Sequence, residues 1–303
     1  MTNYTNKKSV FRNFDRLDFY LITLCILFTL LIFLLFTNSS MPPFEDAAML
    51  MRYSQNFVYG HGIVWNIGEH PVDGATDFLF MICVAITAKT GLSIENSVLL
   101  IDMSSHILTG IIIYIFIRKF LFAGRWMAFT SLLFFILGTG LIYTAVFFGT
   151  PFFALFSAIT WFCANEAVID PKYSNSLIFS VSGLILGLIR PEGVFLAIFM
   201  LIAILFKIGF KKSKKIVLSF LIIFGIIGSI YFIWRWGYFG YPLPNPYYKK
   251  GGFTLHLRGL TQSIGTFVIF SYPFIPAFIL GGRSKENLQQ TIFSLIPVIG
   301  FIL

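Results

Sequence analysis

Charge is scarce in this chain. Only 12% of its 303 residues are Asp, Glu, Lys or Arg, about half the share of an ordinary soluble domain, which is about 25%. Acid is the scarcer sign, with 13 Asp and Glu against 22 Lys and Arg. That shortage excludes a water-soluble globule. Cysteine is nearly absent as well. Cys25, Cys83 and Cys163 lie in apolar surroundings without C-x-x-C spacing and read as packing residues. There is no Walker A sequence and no G-x-G-x-x-G following a strand. That argues against a soluble nucleotide-binding domain and against a nucleotide-sugar or ATP site. No internal repeat or long low-complexity segment is visible.

Apolar sequence fills the space instead. Hydrophobic residues make up 57% of the chain, and Phe alone occurs 38 times. Nine apolar runs recur, at 19–36, 98–117, 127–147, 152–168, 177–189, 194–208, 216–236, 264–281 and 291–303. A bilayer crossing needs about 20 such residues. The expected fold class is therefore all-α, a polytopic helical membrane protein of nine transmembrane helices. The net charge of +9 does not indicate a nucleic-acid partner, because the basic residues sit in short clusters between the runs. That distribution is the orientation signal of membrane proteins, and the lipid bilayer is the expected partner.

The basic segment 1–18 precedes the first run, which is longer than the 7–15 residues of a signal-peptide core and reads as an uncleaved anchor. With Lys7, Lys8, Arg12 and Arg16 placed in the cytoplasm, the charges alternate consistently. Arg118, Lys119, Arg125, Lys172, Lys207, Lys211, Lys212, Lys214, Lys215, Arg283 and Lys285 then all fall inside. This holds only if 76–91 is an interfacial or re-entrant helix rather than a full crossing. Its shortness and Lys89 agree with that. The chain 1–303 then reads as one transmembrane module. Its outer face holds 38–96, the turn at Arg190-Pro191-Glu192-Gly193, and 237–262. The last run stops at Leu303, which reads either as a protein ending in its final helix or as a shortened member of a longer family.

The outer segment 38–96 carries the most chemistry. Pro42-Pro43 suits a helix start, and Phe44 to Tyr59 follows as a helix. Its positions Ala47, Leu50, Met51, Ser54, Phe57 and Val58 share one face, the pattern of a helix lying on a membrane. Glu45 and Asp46 occupy the first turn, where the helix dipole favours anions. They are either simple helix-end acids or a general base at the lipid–water boundary. Asp102 and His106 lie one turn apart inside a run, either hydrogen-bonded to each other or lining a cavity. Trp234, Trp236, Tyr247 and Tyr248 flank the outer end of their run as an aromatic belt.

The order Glu45-Asp46-Ala47, Arg52-Tyr53, Gly60-His61-Gly62-Ile63-Val64-Trp65-Asn66-Ile67-Gly68-Glu69 and Val72-Asp73-Gly74-Ala75-Thr76-Asp77-Phe78-Leu79 resembles the C-type membrane glycosyltransferases. It is similar to the branch containing the mycobacterial terminal arabinofuranosyltransferase and its bacterial relatives. That branch carries an Asp-Asp-Ala helix start, then Arg-Tyr, Gly-His-Gly-Leu-Val-Tyr-Asn-Pro-Gly-Glu and Val-Glu-Gly-Tyr-Thr-Asn-Phe-Leu. Arg190-Pro191-Glu192-Gly193 and Gly240-Tyr241-Pro242-Leu243-Pro244-Asn245 also resemble it. Two departures stand out. Glu45 replaces the usual Asp, one methylene longer, and Phe148-Gly149-Thr150-Pro151 lacks the Glu that relatives often carry before Thr-Pro.

The resemblance implies an inverting transfer of sugar from a polyprenyl-phosphate donor to a glycan, lipid-linked glycan or protein acceptor. The reaction would face outward at a bacterial inner membrane. Asp46 is then the general base, and Glu45 either orients the acceptor or shares a divalent cation with Asp46; no dedicated metal-ligand spacing goes beyond that pair. Lys249, Lys250 and Arg258 are candidates for the leaving phosphate, with Arg190 and Arg52 as alternatives. The bland readings are a solvated Lys249-Lys250 pair and an Arg190–Glu192 ion pair closing a short hairpin. Tyr53, His61, Asn66, Glu192 and Asn245 complete the expected donor and acceptor contacts. The rivals are a transporter or flippase of a lipid-linked sugar and an inactive, shortened relative acting as a membrane scaffold.

Overall fold

The computed structural model describes residues 14–36, 43–138, 140–249, 257–271 and 285–302. Lys250 and the basic residues Lys7, Lys8 and Arg12 lie outside them. Every regular element among the described residues is a helix. In chain order these are α1 (Arg16–Phe36), α2 (Glu45–Val58), α3 (Phe78–Ala88), α4 (Ile94–Phe120), α5 (Arg125–Ile136), α6 (Gly140–Ala145) and α7 (Thr150–Ile169). Then come α8 (Tyr173–Ile189), α9 (Glu192–Ile222), a π-helical stretch (Ile223–Gly228), α10 (Ser229–Phe239), α11 (Asn245–Lys249), α12 (Leu257–Ser271) and α13 (Lys285–Ile302).

Among the described residues, four helical stretches are long and apolar enough to cross a membrane: Arg16–Leu35, Ile94–Phe120, Thr150–Ile169 and Glu192–Phe239. The chain thus has the long apolar helices of a membrane protein, but the described residues do not show the nine expected crossings. The run 127–147 is not one helix. It breaks between α5 and α6, where Gly138 and Gly140 flank the junction. The twelve residues of α5 reach only about 18 Å, short of a bilayer core. The run 264–281 is described as helix only to Ser271. The segment α3 has eleven residues, about 16 Å, and is likewise too short to span.

The chain divides into two compact units. Met1–Gly62 with Phe80–Phe162 forms the first. Helix α1 starts where Asp15 and Asp18 cap each other: Leu17 and Asp18 donate backbone N–H bonds to Asp15 Oδ1, and the Asp15 N–H donates to Asp18 Oδ2. A hydrogen bond from Arg125 holds the Asp15 carboxyl below its usual range. Asp18 is fully buried, accepts from the Tyr114 hydroxyl at 2.5 Å and lies 3.5 Å from Arg118. Below this polar knot, Cys25, Tyr114, Ile117, Ala128, Leu132 and Ile136 make a common core. Gly110 lets α5 approach, since a Cβ there would stand 2.7 Å from Leu132 Cδ1.

Helix α2 buries Ala47, Leu50, Met51, Tyr53, Ser54 and Asn56. This is close to the predicted face, but the partner is protein rather than lipid. The Ser54 hydroxyl donates to the carbonyls of Leu50 and Met81.

Ile63–Leu79 with Cys163–Leu303 forms the second unit. The 48 residues from Glu192 to Phe239 would run about 72 Å if straight, more than twice a bilayer core. They are not straight. Gly209 has φ +75° and ψ 159°, outside helical geometry. A Cβ at Gly183 of α8 would touch both Ala197 (3.2 Å) and Phe220 (3.7 Å). Those two residues would stand about 34 Å apart along one straight helix. The chain therefore folds back at Gly209, and both legs of α9 pack on α8. Two runs expected as separate, 194–208 and 216–236, are the legs of this hairpin.

Candidate functional site

In the second unit, three segments distant in sequence meet around two buried carboxylates. Asp73 is 4% exposed and Arg235 8%. Arg235 grips Asp73 with two N–H donors, Nε to Oδ2 at 2.7 Å and Nη2 to Oδ1. It also donates to the Tyr231 hydroxyl and the Ala75 carbonyl. The rings of Phe78, Tyr231 and Phe239 lie 5.5 to 5.8 Å from the guanidinium carbon. A buried arginine needs this company, because a charge taken from water is costly unless paired. The backbone N–H of Asn245 donates to the Asp73 carbonyl at 2.8 Å, and that of Ile63 to the Tyr238 hydroxyl at 3.0 Å. Gly240 ends α10 with φ +80°, a left-handed cap that turns the chain back toward Asp73.

The second carboxylate, Asp77, lies 3.1 Å from Arg190 Nε, and Glu192 lies 3.9 Å from the same atom. Arg190 sits in the α8–α9 turn, whose tightness explains its glycine. A Cβ at Gly193 would stand 2.2 Å from the Leu186 carbonyl oxygen. Segments 72–79, 190–193 and 240–245 are thus brought together. A cavity of 440 Å³ opens beside them, lined by Thr76, Pro191, Tyr231 and Arg235 together with apolar side chains of α8, α9 and α10.

Other predicted residues fall in the first unit. Glu45 and Asp46 are both exposed in the first turn of α2. Arg52 is exposed, whereas Tyr53 is 1% exposed and packed into the core. His61 is exposed between Gly60 (φ +84°) and Gly62 (φ +83°), and its backbone N–H donates to the Asn56 carbonyl. Both flanking positions take a left-handed backbone that favours glycine. His106 holds Nε2 3.1 Å from the Ile136 carbonyl and stacks on Phe135.

The remaining predicted residues are in the second unit. Asn66 donates from Nδ2 to Glu69 Oε2 at 2.8 Å. Asn245 opens α11, Lys249 is exposed at its end, and Arg258 is exposed on α12. Among the described residues, no group of three or more His, Cys, Asp or Glu side chains gathers to hold a metal.

Sequence reasoning passed over Arg235 and Tyr231. The signal was present: Arg235 is the one charge in the apolar run 216–236, and an ionisable residue in such a run warrants a search for its partner. Comparison with protein-family models, with curated proteins and with solved structures finds no match to this chain.

Proposed function

We propose that the chain is an integral-membrane glycosyltransferase of the C-type kind. It would take sugar from a polyprenyl-phosphate donor and pass it, with inversion, to an envelope glycan, lipid-linked glycan or protein. The observation that carries this reading is the convergence of 72–79, 190–193 and 240–245 around Asp73 and Asp77. Those are segments that the resemblance singles out, with 110 residues of chain between the first and second and 46 between the second and third. Shared packing gives a physical reason for their occurring together.

In this reading Asp46, exposed to solvent at a helix start, removes the acceptor hydroxyl proton while the sugar–phosphate bond breaks on the opposite face. Arg190 and Arg235 are held by carboxylates, so they serve the architecture. Lys249 and Arg258 are exposed cations suited to the departing phosphate. Glu45, in the same turn as Asp46, orients the acceptor or holds a divalent cation. The site faces the outer side of a bacterial inner membrane, with the N-terminus in the cytoplasm. A carrier of lipid-linked sugar would place polar groups at broken helices near the midplane. The π-helical stretch Ile223–Gly228 contains only Ile, Phe and Gly, which favours the enzyme.

Mass spectrometry of envelope glycans tests the proposal, using cells with the gene, without it, and with Asp46→Asn. The expected result is loss of one sugar residue from a defined glycan in the deletion. Asp46→Asn should give the same loss, with transfer in vitro down about 10²–10⁴-fold and normal protein level. Identical glycans in all three strains would sink the enzyme reading. Near wild-type transfer by Asp46→Asn would remove Asp46 as base.

A further inference from the structure

A second cavity lies wholly within the first unit, and its lining has a distinct chemistry. It encloses 730 Å³, within the range of small-molecule sites, about 300–1,000 Å³. One wall is a stripe of α2. Ala48, Arg52, Gln55 and Tyr59 recur at i, i+4, i+7 and i+11, which places them on one side of the helix, next to the face that packs inward. The other wall is the turn before α4 and its first residues, including Ser93 and Glu95. Asn56, 8% exposed, also lines the cavity.

We propose that this cavity binds an uncharged oligosaccharide, and that under the glycosyltransferase reading, on which this assignment rests, it holds the acceptor. Six polar or aromatic side chains line it: Arg52, Gln55, Asn56, Tyr59, Ser93 and Glu95. Together they offer donors and acceptors in both senses, which suits hydroxyl groups that give and take hydrogen bonds. The formal charges are one positive and one negative, so the cavity exerts no net pull on an anion. A phosphate-bearing donor is thereby disfavoured. Tyr59 is 68% exposed, with its ring at the surface, where the C–H face of a sugar can lie against it. A lipid chain would find too many polar groups to desolvate.

The position also fits. Pro43 and Ala48, on either side of the acidic pair, are part of the same lining. Arg52 is six residues, about 9 Å along the helix, from Asp46. A bound sugar chain can therefore extend from Tyr59 back to the carboxylates.

The test uses the full chain in lipid nanodiscs and an array of uncharged mannose-, galactose-, glucose- and arabinose-based di- to tetrasaccharides. At least one should bind. Gln55→Ala and Glu95→Ala, both at exposed positions that tolerate truncation, should each weaken it about tenfold, as loss of one strong hydrogen bond does. Tyr59→Phe should keep affinity and Tyr59→Ala lose it. Three outcomes overturn the site: no array member binding above empty discs, Gln55→Ala and Glu95→Ala binding as wild type, or displacement of the sugar by inorganic phosphate. Binding and transfer are separable readouts. Transfer with no effect of these variants on sugar affinity keeps the enzyme and removes the cavity. Sugar bound here with no transfer keeps the cavity and removes the enzyme.

Discussion

The Asp73–Arg235 pair is where single side chains matter most. Its two carboxylate oxygens and two guanidinium nitrogens face each other inside the second unit, 162 positions apart in sequence. Removing one partner leaves the other buried and charged, typically at a cost of about 3–5 kcal/mol. Asp73→Asn should therefore lower the thermal midpoint measured by Trp fluorescence in detergent and expose 63–79 to protease. Arg235→Lys should not spare it, because an ammonium cannot reproduce the fork. The double variant Asp73→Leu with Arg235→Met should recover much of the loss, since apolar replacement of a buried pair is often neutral. A single Asp73→Asn protein as stable as wild type would show that the pair is not what holds the segment. Asp73 was visible in the sequence as part of a motif, but its role was not. Ion pairing across so long a separation leaves no local pattern; only the oddity of a lone arginine in FIWRW marked it. The place of Asp46 at the start of α2 was legible for the opposite reason, because a helix-start acid is a local feature.

At the scale of elements, the sequence read helix positions well and helix ends poorly. Four of the six positions predicted for the buried face of α2, Ala47, Leu50, Met51 and Ser54, are buried, because periodicity is intrinsic to one segment; Tyr53 and Asn56 take the places expected of Phe57 and Val58. Its partner was misassigned, because periodicity cannot distinguish a lipid surface from the Met81 backbone. Run length overcounted crossings for a similar reason. Glycine is neutral on a hydropathy scale, so Gly138 and Gly140 did not interrupt the run 127–147, although the helix breaks there. Close approach is the other role of glycine, and the α8–α9 turn depends on it. Gly193→Ala would place a methyl 2.2 Å from a backbone oxygen that has no freedom to retreat. We expect a sharp fall in folded yield and thermal midpoint. Gly237→Ala, in α10 with nothing within 4 Å of its Cβ position, should be neutral or stabilising by about 0.5–1 kcal/mol. Similar behaviour of the two variants in a detergent melting series would refute the close-packing account.

At the scale of the whole molecule, the second unit separates a lysine cluster from a carboxylate cluster along one helix. Lys211, Lys212, Lys214 and Lys215 are exposed just beyond the Gly209 turn, and Lys215 lies 4.9 Å from the ring of Tyr173, the first residue of α8. Arg190 stands at the other end of that helix, with Asp77 against it. Seventeen residues of α8, about 25 Å, separate the lysine end from the Asp77 end, close to the thickness of a bilayer core. If the positive-inside rule places the lysines in the cytoplasm, the Asp73 and Asp77 cluster must lie at the opposite surface. Single cysteines in a background lacking Cys25, Cys83 and Cys163 test this. Gln55 offers an exposed position on α2. In intact spheroplasts an impermeant thiol reagent should label Gln55→Cys and Lys249→Cys and spare Lys212→Cys until the membrane is opened. Labelling of Lys212→Cys with protection of Lys249→Cys would invert the second unit and put its carboxylates in the cytoplasm. Lipid-linked donors at the outer surface would then be out of reach.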